Sequence, residues 1–342
     1  MMMMEKKEKI IVKGFNWIGD AVMASPFFQS LKEGLKNIEI VVLSRPWTAE
    51  VYKNNPYIEE VIEVDDKREK IKAIKILNAR KFEKGILLPK SLSSALLLKF
   101  GGVNEISGWD TQLRGYLLKN KFELTEELKS KHQVYLHLEL AYLCGGKQIE
   151  KPKLALNTLP DIDEFVINNW LPKDKKYFGI NSGAAFGPAK RWRPDYFAKV
   201  INYISKKYDF IPVLFGAENE RQIGAEILRN LDDSIKAINL IGKTSLQQLF
   251  SAIKQCKLFL TNDSGPMHIA AAFDIPLVAV FGSTNAKTTG PFSDYAVVIE
   301  ANIECSPCIE KTCKFNTYQC MKVITPELVI EALEKKCIFK GN

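Results

Sequence analysis

The stretch from Leu258 to Gly282 constrains the fold of this chain more than any other. An apolar run, Leu258-Phe-Leu-Thr-Asn262, leads into Asp263-Ser-Gly-Pro-Met-His268, an alanine-rich segment and a second apolar run. Apolar runs bounded by turn residues are typical of buried strands, and the small helix formers between them indicate a helix. The stretch therefore predicts strand, tight turn, helix and strand, which is half of a nucleotide-binding α/β unit.

The turn inside this stretch has the chemistry of an anion site. Asp263 or Ser264 can cap the helix, Gly265 lets its backbone approach a ligand, and Pro266 fits the first helical turn. Free N–H groups and the positive end of the helix dipole would then face a bound anion, and a neutral His268 could donate a hydrogen bond to a phosphate. The alternative is an ordinary capped helix with a half-buried histidine.

Short apolar runs alternate with helical patterns along the rest of the chain, which predicts parallel, doubly wound sheets. A length of 342 residues favours two domains. We expect an acceptor-binding Rossmann-like domain at 1–160 and a nucleotide-sugar-binding Rossmann-like domain at 161–324. A C-terminal helix within 325–342 is expected to pack back toward the first domain.

Composition excludes several classes of protein. The sequence has 46% hydrophobic and 26% charged residues, and it has no uncharged apolar run of about 18 residues, so no membrane span is predicted. The beginning of the chain lacks the apolar core of a signal peptide, which favours a cytoplasmic location. The net charge of +8 comes without a nucleic-acid motif, so it suits an anionic ligand, an anionic membrane surface or simply a solvated lysine-rich exterior.

Chemically useful side chains follow several of the predicted strands. Asp20 comes after the first strand and a loop with two glycines that lacks the dinucleotide fingerprint; it is either a helix cap or a carboxylate at the ligand-binding edge of a sheet. In the second half, Lys190 follows one strand, Glu218 and Glu220 the next, and Asp263 a third. A cation, a carboxylate and backbone N–H groups are what a nucleoside diphosphate needs, and a cleft between the two domains is the expected place for it.

Four of the seven cysteines lie close together, with the spacing C-x2-C-x4-C-x6-C: Cys305, Cys308, Cys313 and Cys320. This spacing suits zinc, an iron–sulfur cluster or disulfides, although a cytoplasmic location argues against permanent disulfides. We expect a structural role, because no partner that would activate a catalytic thiol is evident.

The motifs together resemble the heptosyltransferases of lipopolysaccharide inner-core synthesis, glycosyltransferase family 9, with the two-domain GT-B fold. The resemblance covers nearly the whole chain. Its most specific part is Thr261-Asn-Asp-Ser-Gly-Pro-Met-His-Ile-Ala-Ala-Ala272, supported by Asn16-Trp-Ile-Gly-Asp-Ala-Val-Met23 and Phe186-Gly-Pro-Ala-Lys-Arg-Trp192. Together with the supporting motifs, Ser91-Leu-Ser-Ser-Ala95 and Gly108-Trp109 look most like the members that add the second heptose.

The resemblance implies an inverting transfer of heptose from ADP-heptose to heptosyl-Kdo2-lipid A, with Asp20 as general base. It implies these donor-binding residues: Lys190 at the diphosphate, Glu220 at the ribose, Thr244 beside the adenine, and Asp263, Ser264, Gly265 and His268 at the sugar-phosphate end. Candidates for the acceptor side are Lys90, Ser91, Trp109 and Arg114, whose alternative roles are a helix cap and surface basic residues. No metal is required by this chemistry, because a helix N-terminus and a lysine can stabilise the leaving diphosphate.

Two departures from the family pattern concern the donor side: Arg193 stands where proline is frequent, and either Glu218 or Glu220 could face the ribose. Other hypotheses keep the fold with another nucleotide sugar or acceptor, as in the enzymes that add the first or third heptose, or describe a non-catalytic nucleotide-sugar-binding protein. The expected partners are ADP-heptose, a lipid A–Kdo acceptor and the cytoplasmic face of the inner membrane. The chain is expected to be a monomer that binds no nucleic acid.

Overall fold

The computed structural model of the protein describes residues 7–338, with side chains through residue 335. Its contacts divide into two compact units between Leu156 and Asn157, slightly before the predicted boundary at 160/161. Residues 1–6 and 339–342, which belong to the predicted ranges 1–160 and 325–342, lie outside the described residues. Within residues 7–338, none of the helices combines the length and the apolar character needed to span a bilayer.

The first unit contains a six-stranded, wholly parallel sheet. Its strand order is β3-β2-β1-β4-β5-β6, so β1 lies inside the sheet. Ile10, Ile11 and Val12 of β1 are buried, as expected for a strand covered on both faces. The strands are β1 Glu8–Lys13, β2 Ile38–Ser44, β3 Glu60–Glu63, β4 Lys84–Leu87, β5 Glu105–Trp109 and β6 Asn120–Phe122.

In the described part of this unit, seven α-helices accompany the sheet. Two of them, α1 and α2, follow one another directly and are separated only by Ala24. The helices are α1 Ile18–Met23, α2 Ser25–Gly34, α3 Pro46–Lys53, α4 Lys70–Arg80, α5 Leu92–Phe100, α6 Glu126–Ser130 and α7 Gln133–Leu143.

The second unit repeats this topology. Its strand order β9-β8-β7-β10-β11-β12 is the order of the first sheet when strands are counted within the unit, and all pairs are parallel. The predicted fold class, α/β with two doubly wound parallel sheets, is thereby confirmed. The strands are β7 Tyr177–Asn181, β8 Ile211–Phe215, β9 Ile238–Asn239, β10 Cys256–Asn262, β11 Leu277–Phe281 and β12 Ala296–Glu300.

The helices of the second unit include the C-terminal helix α15. Val329 and Leu333 at this end of the chain are buried with Trp192 in the core of the second unit, and α15 packs on α9. The expected packing of this helix toward the first domain stays a prediction. The helices are α8 Pro160–Asn169, α9 Pro194–Tyr208, α10 Arg221–Arg229, α11 Leu246–Lys254, α12 Gly265–Ala272, α13 Ala286–Thr289, α14 Gln319–Val323 and α15 Pro326–Ala332.

Candidate active-site residues

Each sheet has a point where the chain connections leave in opposite directions. This point lies between β1 and β4 in the first unit and between β7 and β10 in the second. Open parallel sheets bind ligands at the carboxyl ends of the strands at such a point, because the flanking loops diverge and leave a crevice. The predicted residues follow these strands: Asp20 after β1, Lys90 after β4, Lys190 after β7 and Asp263 after β10.

In the second unit, Lys190 and Asp263 are in direct contact. The Lys190 Nζ lies 2.5 Å from Asp263 Oδ2, and Thr284 Oγ1 donates to the same carboxylate at 2.6 Å. The ammonium group also lies 4.7 Å from the centre of the Phe186 ring. The fold thus brings together two predicted site residues that are 73 positions apart in sequence, and it places them beside the N-terminus of α12. Thr284 was not predicted, and its position directly after β11 was the available signal.

Ser264 occupies the N-cap position of α12, but its hydroxyl contacts residues of the sheet and does not cap the helix. It accepts a hydrogen bond from Asn181 Nδ2 at 2.8 Å and lies 3.1 Å from Thr261 Oγ1. His268 is buried in the first turns of the same helix, and Gly265 is its first residue. The N–H groups at the start of α12 therefore lie next to the Lys190–Asp263 pair, as an anion site requires.

Asn262 fastens the loop that carries Lys190. Its Oδ1 accepts from the Trp192 backbone N–H at 3.0 Å, and its Nδ2 donates to the Ser182 carbonyl at 2.7 Å. Asn262 is fully buried, so these bonds replace its hydration. The sequence did not indicate this positioning role, although Asn262 lies beside Asp263.

The two glutamates of the loop after β8 differ in burial. Glu220 is buried and accepts a hydrogen bond from the Ala217 N–H at 2.8 Å, and its carboxylate lies against Gly183, where a Cβ would come within 2.0 Å of Oε1. Glu218 has a 68% exposed side chain that pairs with Arg221. Glu220 is therefore the glutamate next to the loop after β7, and its bond to Ala217 also closes its own turn.

Thr244 is the donor-side candidate that these contacts do not include. It lies in the loop after β9, directly before Ser245, which caps α11 by accepting from Gln248 N–H at 3.2 Å. Among the described residues, no hydrogen bond joins Thr244 to Lys190 or Asp263. The position beside an adenine stays a prediction.

In the first unit, Asp20 lies in the first turn of α1 and is half-buried. Burial lowers the pKa of Lys90, and the nearby Asp20 carboxylate opposes that shift. The two predicted residues on either side of the β1–β4 switch point therefore interact electrostatically.

The loop Gly14–Trp17, which joins β1 to α1, is held by buried groups that the sequence did not single out. Lys13 has no exposed surface; its ammonium donates to the Gly14 carbonyl at 3.1 Å and pairs with Asp66 at 3.5 Å. The Tyr52 hydroxyl accepts from the Phe15 N–H at 2.8 Å. Burial raises the pKa of Tyr52 and lowers that of Lys13.

The acceptor-side candidates other than Lys90 have structural contacts. The Ser91 hydroxyl caps α5 by accepting from the Ser94 N–H at 3.3 Å, which matches the helix-cap alternative. Arg114 was expected to be a surface basic residue if it did not bind acceptor; instead it is completely buried, and burial lowers its pKa to about 10. Its guanidinium donates to the carbonyls of Trp109 at 2.9 Å and Pro89 at 2.6 Å, and Trp109 is itself buried. These bonds join the loops after β4 and β5.

Four cysteines line one small cavity of about 40 Å³ in the second unit: Cys305, Cys308, Cys313 and Cys320. All four are free thiols. Within residues 7–338, no three Cys, His, Asp or Glu side chains already form an arrangement that could hold a metal ion. The four cysteines that are close in sequence are thus also close in space, around one cavity.

Comparisons with known proteins agree with this geometry. Residues 71–319 match the family described as glycosyltransferase family 9 (heptosyltransferase). A lipooligosaccharide heptosyltransferase 2 of Campylobacter jejuni is 34% identical over 96% of this chain and 98% of its own, and lipopolysaccharide heptosyltransferase 2 of Escherichia coli K12 is 29% identical over 95% and 97%. The solved structure of E. coli ADP-heptose LPS heptosyltransferase II is 28% identical with a TM-score of 0.82, over 98% of this chain and all of that one.

The two doubly wound sheets, each with charged groups at its switch point, are those of a GT-B glycosyltransferase. The chain belongs to glycosyltransferase family 9.

Proposed function

We propose that the protein is an inverting glycosyltransferase that moves heptose from ADP-heptose to the lipopolysaccharide inner core, adding the second heptose to heptosyl-Kdo2-lipid A. The observation that carries the proposal is the cluster of Lys190, Asp263 and Thr284 at the N-terminus of α12. Relatives along nearly the whole chain that are named heptosyltransferase 2 support the second heptose as the group added, and the similar solved structure of an ADP-heptose LPS heptosyltransferase II supports the donor.

The second unit supplies the donor chemistry in this proposal. A diphosphate that takes up negative charge as the sugar leaves is stabilised by the Lys190 ammonium and by the N–H groups at the start of α12. Glu220 is the candidate for the ribose hydroxyls, and Ser264, Gly265 and His268 complete the sugar-phosphate end. None of these roles needs a metal ion.

The first unit supplies the base. Asp20 takes the proton of the acceptor hydroxyl as that oxygen attacks the anomeric carbon, and the bond from that carbon to the ADP oxygen breaks, which inverts the configuration. Lys90, on the other side of the switch point, suits the acidic sugars of the acceptor, and its charge interacts with the Asp20 carboxylate.

The test is an assay of the purified protein with ADP-heptose and two acceptors, one with no heptose and one with a single heptose, analysed by mass spectrometry. Transfer to the second acceptor alone is expected. Transfer to the first acceptor would indicate the enzyme that adds the first heptose, and ADP binding without any product would indicate a nucleotide-sugar-binding protein.

One substitution, with a matched control, separates the proposed base from donor binding. Asp20→Asn should lower turnover at least about 100-fold while the affinity for ADP stays unchanged, because a general base contributes about 10²–10⁴ to the rate. Asp233→Asn, at an exposed aspartate, is the matched control with normal turnover. If Asp20→Asn turns over normally, the base lies elsewhere.

The proposed site of action is the cytoplasmic face of the inner membrane, where a lipid-linked acceptor would be met. The side chains of Leu113 and Tyr116 are 88% and 76% exposed, in the same segment as the exposed Lys119 and Lys121. Exposed apolar groups beside lysines favour an anionic lipid surface. The protein should sediment with anionic vesicles and stay in the supernatant with zwitterionic ones. Equal binding to both kinds of vesicle would contradict the proposed contact with anionic lipid.

A further inference from the structure

The segment that carries the four clustered cysteines is fastened to the donor-side loops. The Ala189 N–H donates to the Lys311 carbonyl at 3.0 Å, and a Cβ on Gly187 would come within 2.4 Å of the same oxygen. At the other side, the Ile309 N–H donates to the Ser283 carbonyl at 2.7 Å. The cysteine segment therefore touches the loop of Lys190 and the end of β11, the strand that Thr284 follows.

The four thiols also converge on one cavity from a segment that forms no strand and only enters a helix, α14, at its end. Cysteine binds metals as the thiolate, and four cysteine sulfurs are a common ligand set of structural zinc sites.

Four thiolates at one cavity would repel one another, and a cation at their centre would remove this repulsion. Disulfides would also remove it, but all four thiols are free in this structure.

We propose that Cys305, Cys308, Cys313 and Cys320 bind one thiolate-preferring divalent metal ion, zinc or iron, in a tetrahedral four-sulfur site. The sulfurs do not yet surround a common point, so binding must turn the side chains inward; metal-thiolate sites seldom exist before the metal arrives. Each thiol that becomes a ligand releases its proton to solvent, and no oxidation or reduction occurs.

The metal would stabilise the segment that supports the Lys190 loop, so its loss should weaken donor binding. This second statement rests on the proposed function, whereas the metal site itself does not.

The first experiment measures the metal content of the full chain, purified under reducing conditions without a chelator. About one zinc or iron per chain is expected, and the element found decides between the two. Cobalt added to metal-free protein should give thiolate-to-cobalt charge transfer and tetrahedral absorption bands. Metal-free protein that takes up no cobalt would overturn the site.

Variants test which sulfurs bind. The double variant Cys308→Ser/Cys320→Ser should lose the metal, while Cys144→Ser, at a cysteine outside the cavity, should keep it. If the double variant fails to fold, the single variant Cys305→Ser, at an exposed position, should still show at least a tenfold weaker affinity for cobalt. Unchanged cobalt affinity in Cys305→Ser would overturn the assignment.

A titration with ADP tests the link to the donor side. Metal-free protein should bind ADP about tenfold more weakly than metal-loaded protein, which corresponds to about 1.4 kcal/mol. Equal ADP affinities in the two forms would refute the supporting role. Wild-type protein that contains the metal but binds no ADP would instead contradict the proposed function and leave the metal site standing.

Discussion

The loop Gly14–Trp17 of the first unit and the Lys190 loop of the second follow corresponding strands, β1 and β7, yet lysine has opposite roles in them. Lys13 is completely buried and donates to the backbone of its own loop. Lys190 is partly accessible, pairs with Asp263, and lies beside a helix N-terminus. The same residue type therefore holds a loop in place in one unit and offers its charge to a ligand in the other.

The difference shows that burial and hydrogen-bond partners separate a structural cation from a binding one. Lys13 donates to one carbonyl oxygen and pairs with Asp66 in the interior, where no ligand can reach it. Lys190 pairs with Asp263 at a partly accessible strand end and can exchange that partner for a phosphate. Three experiments sharpen or break this comparison.

The largest expected effect concerns His137, which packs on Phe15 of the Gly14–Trp17 loop with 4.9 Å between ring centres. Burial, with smaller contributions from Lys90 and His132, lowers its pKa from 6.5 to about 3. The folded state keeps this histidine neutral while the unfolded state takes up a proton below pH 6.5. The free energy of unfolding is therefore unaffected by this histidine above pH 6.5, and it decreases as the pH falls from 6.5 toward 3.

At about pH 4.5, two units below the unfolded pKa, the loss should be about 3 kcal/mol. Urea unfolding at that pH and at about pH 7.5 measures it. His137→Gln, which does not titrate, should remove this part of the pH dependence. An identical pH dependence in wild type and variant would mean that the loop is not held by a neutral buried group.

A smaller effect is expected for Lys13→Met. It leaves the buried Gly14 carbonyl without this donor and takes one of two cationic partners from Asp66, since Arg45 keeps the other contact at 2.5 Å. The free energy of unfolding should fall by about 2 kcal/mol, and the affinity for ADP should stay within about twofold.

Lys190→Met is the matched control, with the same chemical change in the loop after the corresponding strand of the second unit. It should weaken ADP binding about 30-fold, because a charged hydrogen bond contributes about 2 kcal/mol. Calorimetric titration measures both affinities. If Lys13→Met weakens ADP binding as strongly as Lys190→Met does, the comparison fails.

The smallest effect is expected for Thr284→Val, which removes the hydroxyl that donates to Asp263 and leaves the shape nearly unchanged. A neutral hydrogen-bond donor contributes about 1 kcal/mol, so ADP affinity should fall about fivefold. The Thr288 hydroxyl donates to the Asn285 carbonyl at the start of α13, so Thr288→Val should leave the ADP affinity unchanged. If Thr284→Val weakens ADP binding more than Lys190→Met does, Lys190 is not the main anion-binding group.

Much of the fold follows from the sequence because buried strands and amphipathic helices leave local patterns. The central strands β1 and β10 are examples, since each contains a run of three buried apolar residues, 10–12 and 258–260. The edge strand β12 was not predicted, although its residues 296–299 form an apolar run. The edge strand β6, Asn120–Phe122, was not predicted because it is short, polar and mostly exposed. What defines such strands is their pairing with a neighbour, which a local pattern does not contain.

The candidate site divides in the same way. Lys190 and Asp263 belong to motifs whose chemistry is local, so the sequence indicated both. Asn262 and Lys13 act through partners that are distant in sequence, and only the fold brings those partners close. The burial of Arg114 was missed for a related reason, because an arginine surrounded by carbonyl oxygens has the same sequence signature as one in solvent.

The repeated strand order has a consequence for synthesis on the ribosome. All strands of the first sheet come from Glu8–Phe122, and all strands of the second from Tyr177–Glu300, so neither sheet takes a strand from the other part of the chain. The first sheet can therefore complete its hydrogen bonds while the second is still being translated, and at about 5–20 residues per second this leaves it several seconds to fold alone.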